Sequence, residues 1–552
     1  MPTLEWIGKK AVLGHHREVP YHLLHSDASL SAGDPDSGNL LVEGDNLLAL
    51  KALLPYYAGK VKCIYIDPPY NTGNENWVYN DAVNSPEIRR WLSKVVGGEA
   101  EDLSRHDKWL CMMYPRLSLL KEFLAEDGAI FVSIDDTEVG DLIHVCDEVF
   151  GSRHRLALFT WVRKKKGSNL SREFRKVTEY VVAYKRTAGL LDLYGAPAYS
   201  DKQVPLLNRP NRVSVLQFGQ GQVRAGRGLD DGEYRAGRFG RGELEVTLEN
   251  DVTIRDRVII TAFAVSGRFR WTQATVDNEL ANGSVFTASS TFRINVARYD
   301  QAQRSKAPSS LLSAEDGIGT NEDASQELRS IFPELDRLPF DFPKPSTLVA
   351  HLVRSVSRED PAALVLDSFA GSGTTGHAVL SLNKADGGNR RFIMVEMDPG
   401  VCRNVAAQRL QRVIDGYGET PGLGGGFRYC RLGESLFDEQ GNVREHVKFP
   451  DLAAHVFFTE TGSPMPTPAT GRTPFLGVHK GKAVYLLFNG VMGDKRADGG
   501  NVLTGEVLRR LPRHRERDGV RVVYGEGCRL GPARLKREGI IFKQIPYEVK
   551  VS

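Results

Sequence analysis

Residues 64–73 read IYIDPPYNTG, an apolar run followed at once by an acid, two prolines, a tyrosine and an asparagine. The preceding residues, VKCIYI, read as a buried strand, so Asp67, Pro68, Pro69 and Tyr70 stand where that strand leaves the sheet. A turn that only reverses the chain needs glycine or proline among polar residues, not a stiff array of acid, prolines and aromatic ring.

Working outward, the segments from Leu40 to Tyr184 alternate between strand and helix. NLLVEGDNLLAL opens with a strand and starts a helix, KWLCMMYPRLSLLKEFLAEDG predicts a long helix closed by Gly128, and AIFVSID, ALFTWV and VTEYVVAY predict strands, with DLIHVCDEVFG a helix. Continuous apolar strands separated by helices predict a mostly parallel sheet covered on both faces. A second such stretch, from about Phe342 to Tyr417, holds ALVLDSF and RRFIMVEMD as strands and TTGHAVLSLN and VCRNVAAQRLQRVI as helices. Two strands are too few for a separate sheet, so both stretches are expected to build one.

The segment between them has another composition. QFGQGQVRAGRGLDDGEYRAGRFGRGELE is rich in Gly and Arg, and VIITAFAVSGRFRW reads as one long strand or a pair. Past the Gly-rich ETPGLGGGF, the segments VRVVYGEG, PARLKREG and IIFKQIPYEV read as a small α/β module. The expected organisation is an N-terminal extension at 1–38, a first catalytic part at 39–186, an insert at 187–335, a second catalytic part at 336–417 and a C-terminal module at 418–552.

Composition narrows the class without choosing it. A chain of 552 residues is expected to divide into several domains. With 72 basic against 69 acidic residues, the net charge of +3 does not by itself announce a nucleic-acid binder. Six scattered cysteines without a C-x-x-C pair argue against zinc and against a disulfide framework, so no metal is expected and a reducing cytoplasm is the expected location. The start, MPTLEWIGKK, lacks the pattern of a signal peptide, and no run reaches the roughly eighteen apolar residues of a membrane span.

The second chemical stretch is DSFAGSGTT, residues 367–375, which leaves a strand and opens a helix. Gly371 and Gly373 permit a tight turn and close backbone approach to a ligand, and the helix start offers unpaired N–H groups. The loop lacks the lysine of a P-loop and does not complete the dinucleotide G-x-G-x-x-G. Glu396 ends the next strand, where an acid can take ribose hydroxyls, so a cofactor carrying adenosine fits.

Together, IDPPY and FAGSGTT in this order resemble the beta class of S-adenosylmethionine-dependent amino-methyltransferases of DNA. EGDNLLALKALLPYYAGKVKCIYIDPPYNTGNENWVYND, HDKWLCMMYPRLSLLKEFLAEDGAIFVSIDD, and GTNEDASQELRSIF followed by FPKPSTLVAHLVR are similar to the Mod subunits of type III restriction-modification systems. The resemblance covers roughly 39–186 and 318–415 and leaves most of the insert out. It implies a Rossmann-like methyltransferase sheet in circularly permuted strand order, with an inserted target-recognition domain and the C-terminal α/β module. It also implies double-stranded DNA as substrate, a restriction-helicase partner subunit and a homodimer.

The same resemblance assigns roles. An exocyclic adenine amine is a poor nucleophile because its lone pair is delocalised; N–H bonds accepted by Asp67 and the Pro68 carbonyl would favour a pyramidal nitrogen aimed at the methyl group. Pro68 and Pro69 stiffen the loop without adding backbone donors. Tyr70 is expected to stack on a base turned out of the duplex. Phe369, Ala370, Gly371, Gly373 and Thr374, with Asp367 and Thr375 at the loop ends and Asp67 beside the sulfonium, are expected around S-adenosylmethionine. Glu396 would take its ribose, Lys344, Pro345, Ser346 and Thr347 would lie near its methionine end, and Asp45 near its adenine amine.

Lys164, Lys165 and Lys166 form a charge run that reads equally as a solvated loop or as a phosphate contact. Arg224, Arg227, Arg235, Arg238 and Arg241 interleave with Gly and with Asp230, Asp231 and Glu233, which reads as a flexible loop or as a DNA-backbone surface. Phe269 and Trp271 read as core residues. The expected activity is adenine-N6 methylation of DNA; the alternatives are cytosine-N4 methylation, which in the beta class usually goes with Ser at position 67, and a recognition subunit that delivers a nuclease-helicase. RNA methylation is disfavoured by the long insert.

Overall fold

The computed structural model describes residues 3–34, 36–72, 104–165, 175–189, 191–197, 203–298, 305–438, 442–490, 494–512 and 520–545. The chain forms two compact units, one of residues 1–193 with 309–552 and the other Tyr194–Pro308.

The larger unit is organised by one sheet of eleven strands, and its centre is parallel. In spatial order that centre runs Gly426–Ser435, Leu40–Glu43, Arg391–Glu396, Leu364–Asp367, Val61–Ile66 and Leu124–Ile134. Thr178–Lys185 then pairs antiparallel with Leu124–Ile134, and Arg155–Val162 pairs antiparallel with it in turn. The two α/β stretches thus meet in one sheet, with Leu364 opposite Val61.

These strands are buried almost throughout, and successive side chains enter two different apolar cores. Val61, Ile64 and Ile66 join Leu364, Leu366, Ile393 and Val395 in one core, while Cys63, Tyr65, Val365, Phe392 and Met394 join the other. The first core is covered by the helices Asn46–Tyr57 and Arg105–Phe123, the second by Ser346–Ser357, Thr374–Asp386 and Gln408–Asp415. A sheet covered on both faces needs apolar residues at every strand position, which is why its strands read as continuous runs.

The connections diverge at one place. From Val61–Ile66 the chain passes through Arg105–Phe123 to the neighbouring strand Leu124–Ile134, whereas from Leu364–Asp367 it passes through Thr374–Asp386 to the neighbour on the opposite side, Arg391–Glu396. Adjacent parallel strands whose helices leave in opposite directions open a crevice at their carboxyl ends, and ligands of open α/β sheets bind there.

Several boundaries differ from the sequence reading. The helix predicted to run to Gly128 ends at Phe123, and residue 128 lies inside Leu124–Ile134, where a Cβ would come 2.7 Å from the Val61 carbonyl. Residues 426–435, expected in the C-terminal module, instead extend the large sheet, and His22–Ser26 of the expected N-terminal extension pairs antiparallel with them. What remains of the tail builds a four-stranded sheet of Phe475–His479, Lys482–Leu486, Val520–Gly525 and Ile540–Gln544. Edge strands supplied from distant parts of the chain leave no local periodicity signal that assigns them to a sheet.

Among its described residues the smaller unit is built mainly of short strands and turns, with the helix Gln273–Ala281. Its compact span is narrower than 187–335. A four-stranded antiparallel sheet and a seven-stranded sheet enclose a core that includes Leu216, Phe218, Val265 and Phe286. VIITAFAVSG holds two strands, Val258–Ile259 and Phe263–Gly267, which do not pair with each other and belong to different sheets. The Gly- and Arg-rich segment is ordered: Arg224 lies on Val223–Ala225, Arg238 on Gly237–Phe239, and the Asp231 carboxylate accepts the main-chain N–H groups of Asp256 and Arg257 at 2.8 and 3.1 Å.

Candidate active site

The strands Val61–Ile66 and Leu364–Asp367 release the chain side by side, one into Asp67–Tyr70 and the other into Ser368–Gly373. Between these loops lies a cleft of about 360 Å³ lined by Asp67, Pro68, Pro69 and Tyr70 on one side. Asp367, Phe369, Ala370, Gly371, Thr374 and Thr375 line the other, and Lys344 enters from the segment before Ser346–Ser357. This volume falls within the range of small-molecule sites.

The acid-proline loop is pinned from several directions. The Trp109 indole donates to the Pro69 carbonyl at 2.7 Å. Asn71, fully buried and at φ 59°, donates to Glu138 at 2.5 Å. The Tyr70 hydroxyl donates to Asp67 Oδ1 at 3.0 Å and to Glu179 Oε2 at 3.1 Å. Lys344 Nζ donates to Asp67 Oδ2 at 2.9 Å and lies 3.8 Å from Glu179 Oε2, and Arg163 donates to Glu179 Oε1 at 2.8 Å. Burial alone would lower the Lys344 pKa, but Asp67 and Glu179 outweigh it and raise the ammonium above its ordinary value. Burial first, and then the Asp67 charge, push the Tyr70 hydroxyl well upward, so it remains a donor.

The glycine loop is equally determined. Gly371 has φ 50° and a Cβ there would meet the Phe340 ring at 3.1 Å; Gly373 has φ 80° and a Cβ would meet Ala406 Cα at 3.2 Å. Both positions favour glycine; Gly371 sets main chain against the cleft, and Gly373 lets the loop pass close to Ala406. Asp367 accepts from Phe369 N at 2.9 Å and from the Thr375 hydroxyl at 2.5 Å. Burial, reinforced by the charges of Asp67 and Glu396, pushes its carboxyl up to about 7 despite these bonds.

The remaining expected residues lie around the cleft. Glu396 is buried and its oxygens accept Gly371 N at 2.8 Å and Asp398 N at 2.9 Å, so its visible work is to hold the glycine loop. Asp45 caps the helix Asn46–Tyr57, accepting from Leu47 N at 2.9 Å and Leu48 N at 3.0 Å, with Arg116 at 3.6 Å. Ser346 donates to Glu327, Thr347 accepts from Gly319 N at 2.8 Å, and Pro345 precedes the helix as its N-cap. None of Asp45, Pro345, Ser346, Thr347, Gly373 and Glu396 is among the residues lining the cleft.

Of the charge run, Lys165 pairs with Asp323 at 2.7 Å, Lys164 is half-buried, and Lys166 lies outside the described residues. Arg224, Arg227, Arg235, Arg238 and Arg241 are all exposed. In the same unit Phe269 is buried, and Trp271 packs edge-on against Phe286 with Arg298 over its ring at 5.2 Å.

Two residues that the sequence reading passed over organise the site. Glu179, only 3% exposed, heads the run TEYVVAY at an inward position shared with Val181 and Ala183. Arg409, fully buried, donates to Thr374 at 2.9 Å, Ser372 at 3.1 Å and Glu327 at 2.9 Å, tying the glycine loop to the helix Asn321–Ile331. Each interrupts an apolar face with a charge, and that interruption was the available signal. His106, Glu138 and Asp141 also come together behind the acid-proline loop.

A doubly wound sheet that sets an acid-proline-aromatic loop against a glycine loop at its switch point has the form of a ligand site of open α/β folds. The match to the DNA methylase family over residues 61–408 makes the assignment definite: the chain belongs to that family. It is similar to the StyLTI Mod subunit, a type III restriction-modification enzyme of Salmonella typhimurium, at 31% identity over 68% of this chain and 55% of the relative. The EcoPI Mod subunit of Escherichia phage P1 is 30% identical over 74% of this chain and 65% of its own length. The chain thus spans between half and two thirds of the length of these curated relatives. A solved structure, an M1.HpyAVI complex with SAM, covers 67% of this chain and 98% of its own at 13% identity, with a TM-score of 0.30 that is too low to bear on the fold.

Proposed function

We infer that this chain transfers a methyl group from S-adenosylmethionine to the N6 amine of an adenine turned out of double-stranded DNA. The observation that carries the reading is the adjacency of Asp67–Tyr70 and Phe369–Thr374 at the carboxyl ends of neighbouring parallel strands. The donor set suits the cofactor: Gly371 main chain lines the cleft, a Cβ there would press on the Phe340 ring that also lines it, and the helix Thr374–Asp386 begins there. Bound there, S-adenosylmethionine supplies an electrophilic methyl group on a sulfonium.

The chain's own residues supply orientation. Phe369 to Thr374 would hold the cofactor, with Lys344 to Thr347 toward its methionine end and Asp45 and Glu396 toward its adenosine. Asp67 and the Pro68 carbonyl accept the amine N–H groups and direct its lone pair, and Tyr70 faces the base. Asp at position 67, in place of Ser, favours adenine over cytosine. The order of the motifs makes the sheet a circularly permuted one, and the unit Tyr194–Pro308 is the target-recognition insert, with its exposed arginines against phosphate. By analogy with the Mod relatives the chain acts as a dimer, beside a restriction-helicase subunit in a type III-like phage-defence system in the cytoplasm; among the described residues no helix is long and apolar enough to cross a membrane.

Single-molecule sequencing with base-modification detection tests this on DNA from cells expressing the protein or its Asp67→Ala variant. N6-methyladenine in one asymmetric motif, present only with the intact protein, is expected; N4-methylcytosine would reassign the base, and no modification would overturn the reading. The variant should still bind S-adenosylmethionine, because the glycine loop does not depend on Asp67 for its hydrogen bonds.

A further inference from the structure

The Asp67 carboxylate is already engaged at both oxygens, by the Tyr70 hydroxyl at 3.0 Å and by Lys344 Nζ at 2.9 Å. Each carboxylate oxygen can accept a second hydrogen bond, so Asp67 keeps room for a target N–H, but a target amine there shares the acceptor with an ammonium that weakens it. Of the two donors, Lys344 is the costly one to leave in place, because an ammonium there competes for the acceptor and repels a sulfonium in the same cleft. The Lys344 side chain is 8% exposed, so its ammonium cannot withdraw into bulk water at little cost. It needs another carboxylate.

Glu179 is that carboxylate. Its Oε2 lies 3.8 Å from Lys344 Nζ, so a shift of about 0.9 Å (3.8 less 2.9) converts the contact into a hydrogen bond of the length Lys344 makes to Asp67. Glu179 is held for this: Arg163 grips Oε1 at 2.8 Å, and the Tyr70 hydroxyl touches Oε2. The route is lined by aromatic faces, with Lys344 Nζ 4.8 Å from the Tyr70 ring and 5.9 Å from the Trp161 ring, which favour a cation throughout a short move. Two acids and two cations, Asp67 and Glu179 with Lys344 and Arg163, keep the group neutral before and after the exchange.

We propose that Glu179 is the positioning residue of the methyl-transfer site, drawing Lys344 off Asp67 when the target amine engages it. This rests on the function inferred above. Glu179→Gln keeps a carbonyl for Arg163, turns the oxygen that faces Tyr70 and Lys344 into an amide NH2 and removes the charge, so Lys344 stays on Asp67. With unmethylated phage genomic DNA and saturating tritiated S-adenosylmethionine, single-turnover transfer should fall about a hundredfold, the scale of a misplaced reacting group. The calorimetric Kd for S-adenosylmethionine and the thermal midpoint should remain close to those of the unsubstituted chain.

Glu179→Gln combined with Lys344→Gln should transfer at least tenfold faster than Glu179→Gln alone, since the competitor for Asp67 is gone. A structural role for Glu179 predicts no such rescue. Unchanged turnover in Glu179→Gln, or a double variant no faster than the single one, overturns the proposal. Loss of transfer by the unsubstituted chain would instead overturn the underlying function.

Discussion

Replacing Arg409 with Met keeps most of the side-chain volume and deletes the charge that ties the glycine loop to the helix Asn321–Ile331. Arg409 is fully buried, and it donates to Thr374, Ser372 and Glu327 and contacts His377 Nδ1 at 3.1 Å. Breaking a buried ion pair from one side costs about 3–5 kcal/mol, because the remaining charge is stranded. Glu327 is 22% exposed and keeps its Ser346 partner, which places the loss at the lower end, about 3 kcal/mol. With a urea slope of about 3 kcal/mol per molar, the midpoint followed by intrinsic fluorescence should fall by about 1 M. Adding Glu327→Gln removes the stranded charge and should recover about half of the loss. An unshifted midpoint in Arg409→Met, or a double variant no more stable than the single one, would refute the claim that this pair holds the loop.

Asp367 gives a pH signature. Its carboxyl rises from an ordinary 3.8 to about 7 through burial, so between those values the folded chain binds the proton that the unfolded chain has released. Stability therefore falls as pH rises through that window and levels off above it. Asp367→Asn should flatten the decline in urea midpoints across pH 4–7, and an equally steep decline would exclude Asp367 as its source. In the smaller unit, replacing Arg224, Arg227, Arg235, Arg238 and Arg241 together by Gln should weaken DNA binding and reduce the slope of log K against log salt if these exposed side chains meet phosphate. An unchanged slope would return them to a solvated surface.

The acid-proline loop and the glycine loop were legible because each follows an apolar strand and carries residue types that an ordinary turn does not need. Their strands were legible because a doubly covered sheet demands continuous apolar runs. The Gly- and Arg-rich segment was harder: its short strands, such as Val223–Ala225 and Gly237–Phe239, lack enough length for alternation to show, and loop and strand readings compete. Its order comes from pairing with distant strands and from Asp231 accepting Asp256 and Arg257 N–H groups, neither of which is local.

The sequence by itself determined the chemistry's parts: Asp67, the two prolines, Tyr70 and the glycine loop, each at a strand end. Only the tertiary structure decided that Val61–Ile66 and Leu364–Asp367 are neighbours, although about three hundred residues separate them, because sheet order is set by burying two apolar faces at once. It also decided what the charges near those motifs do. Glu179, Lys344 and Arg409 acquire meaning from partners far away in the chain, since a charge inside a protein is stable only where another group compensates it, and that compensation exists only in the folded state.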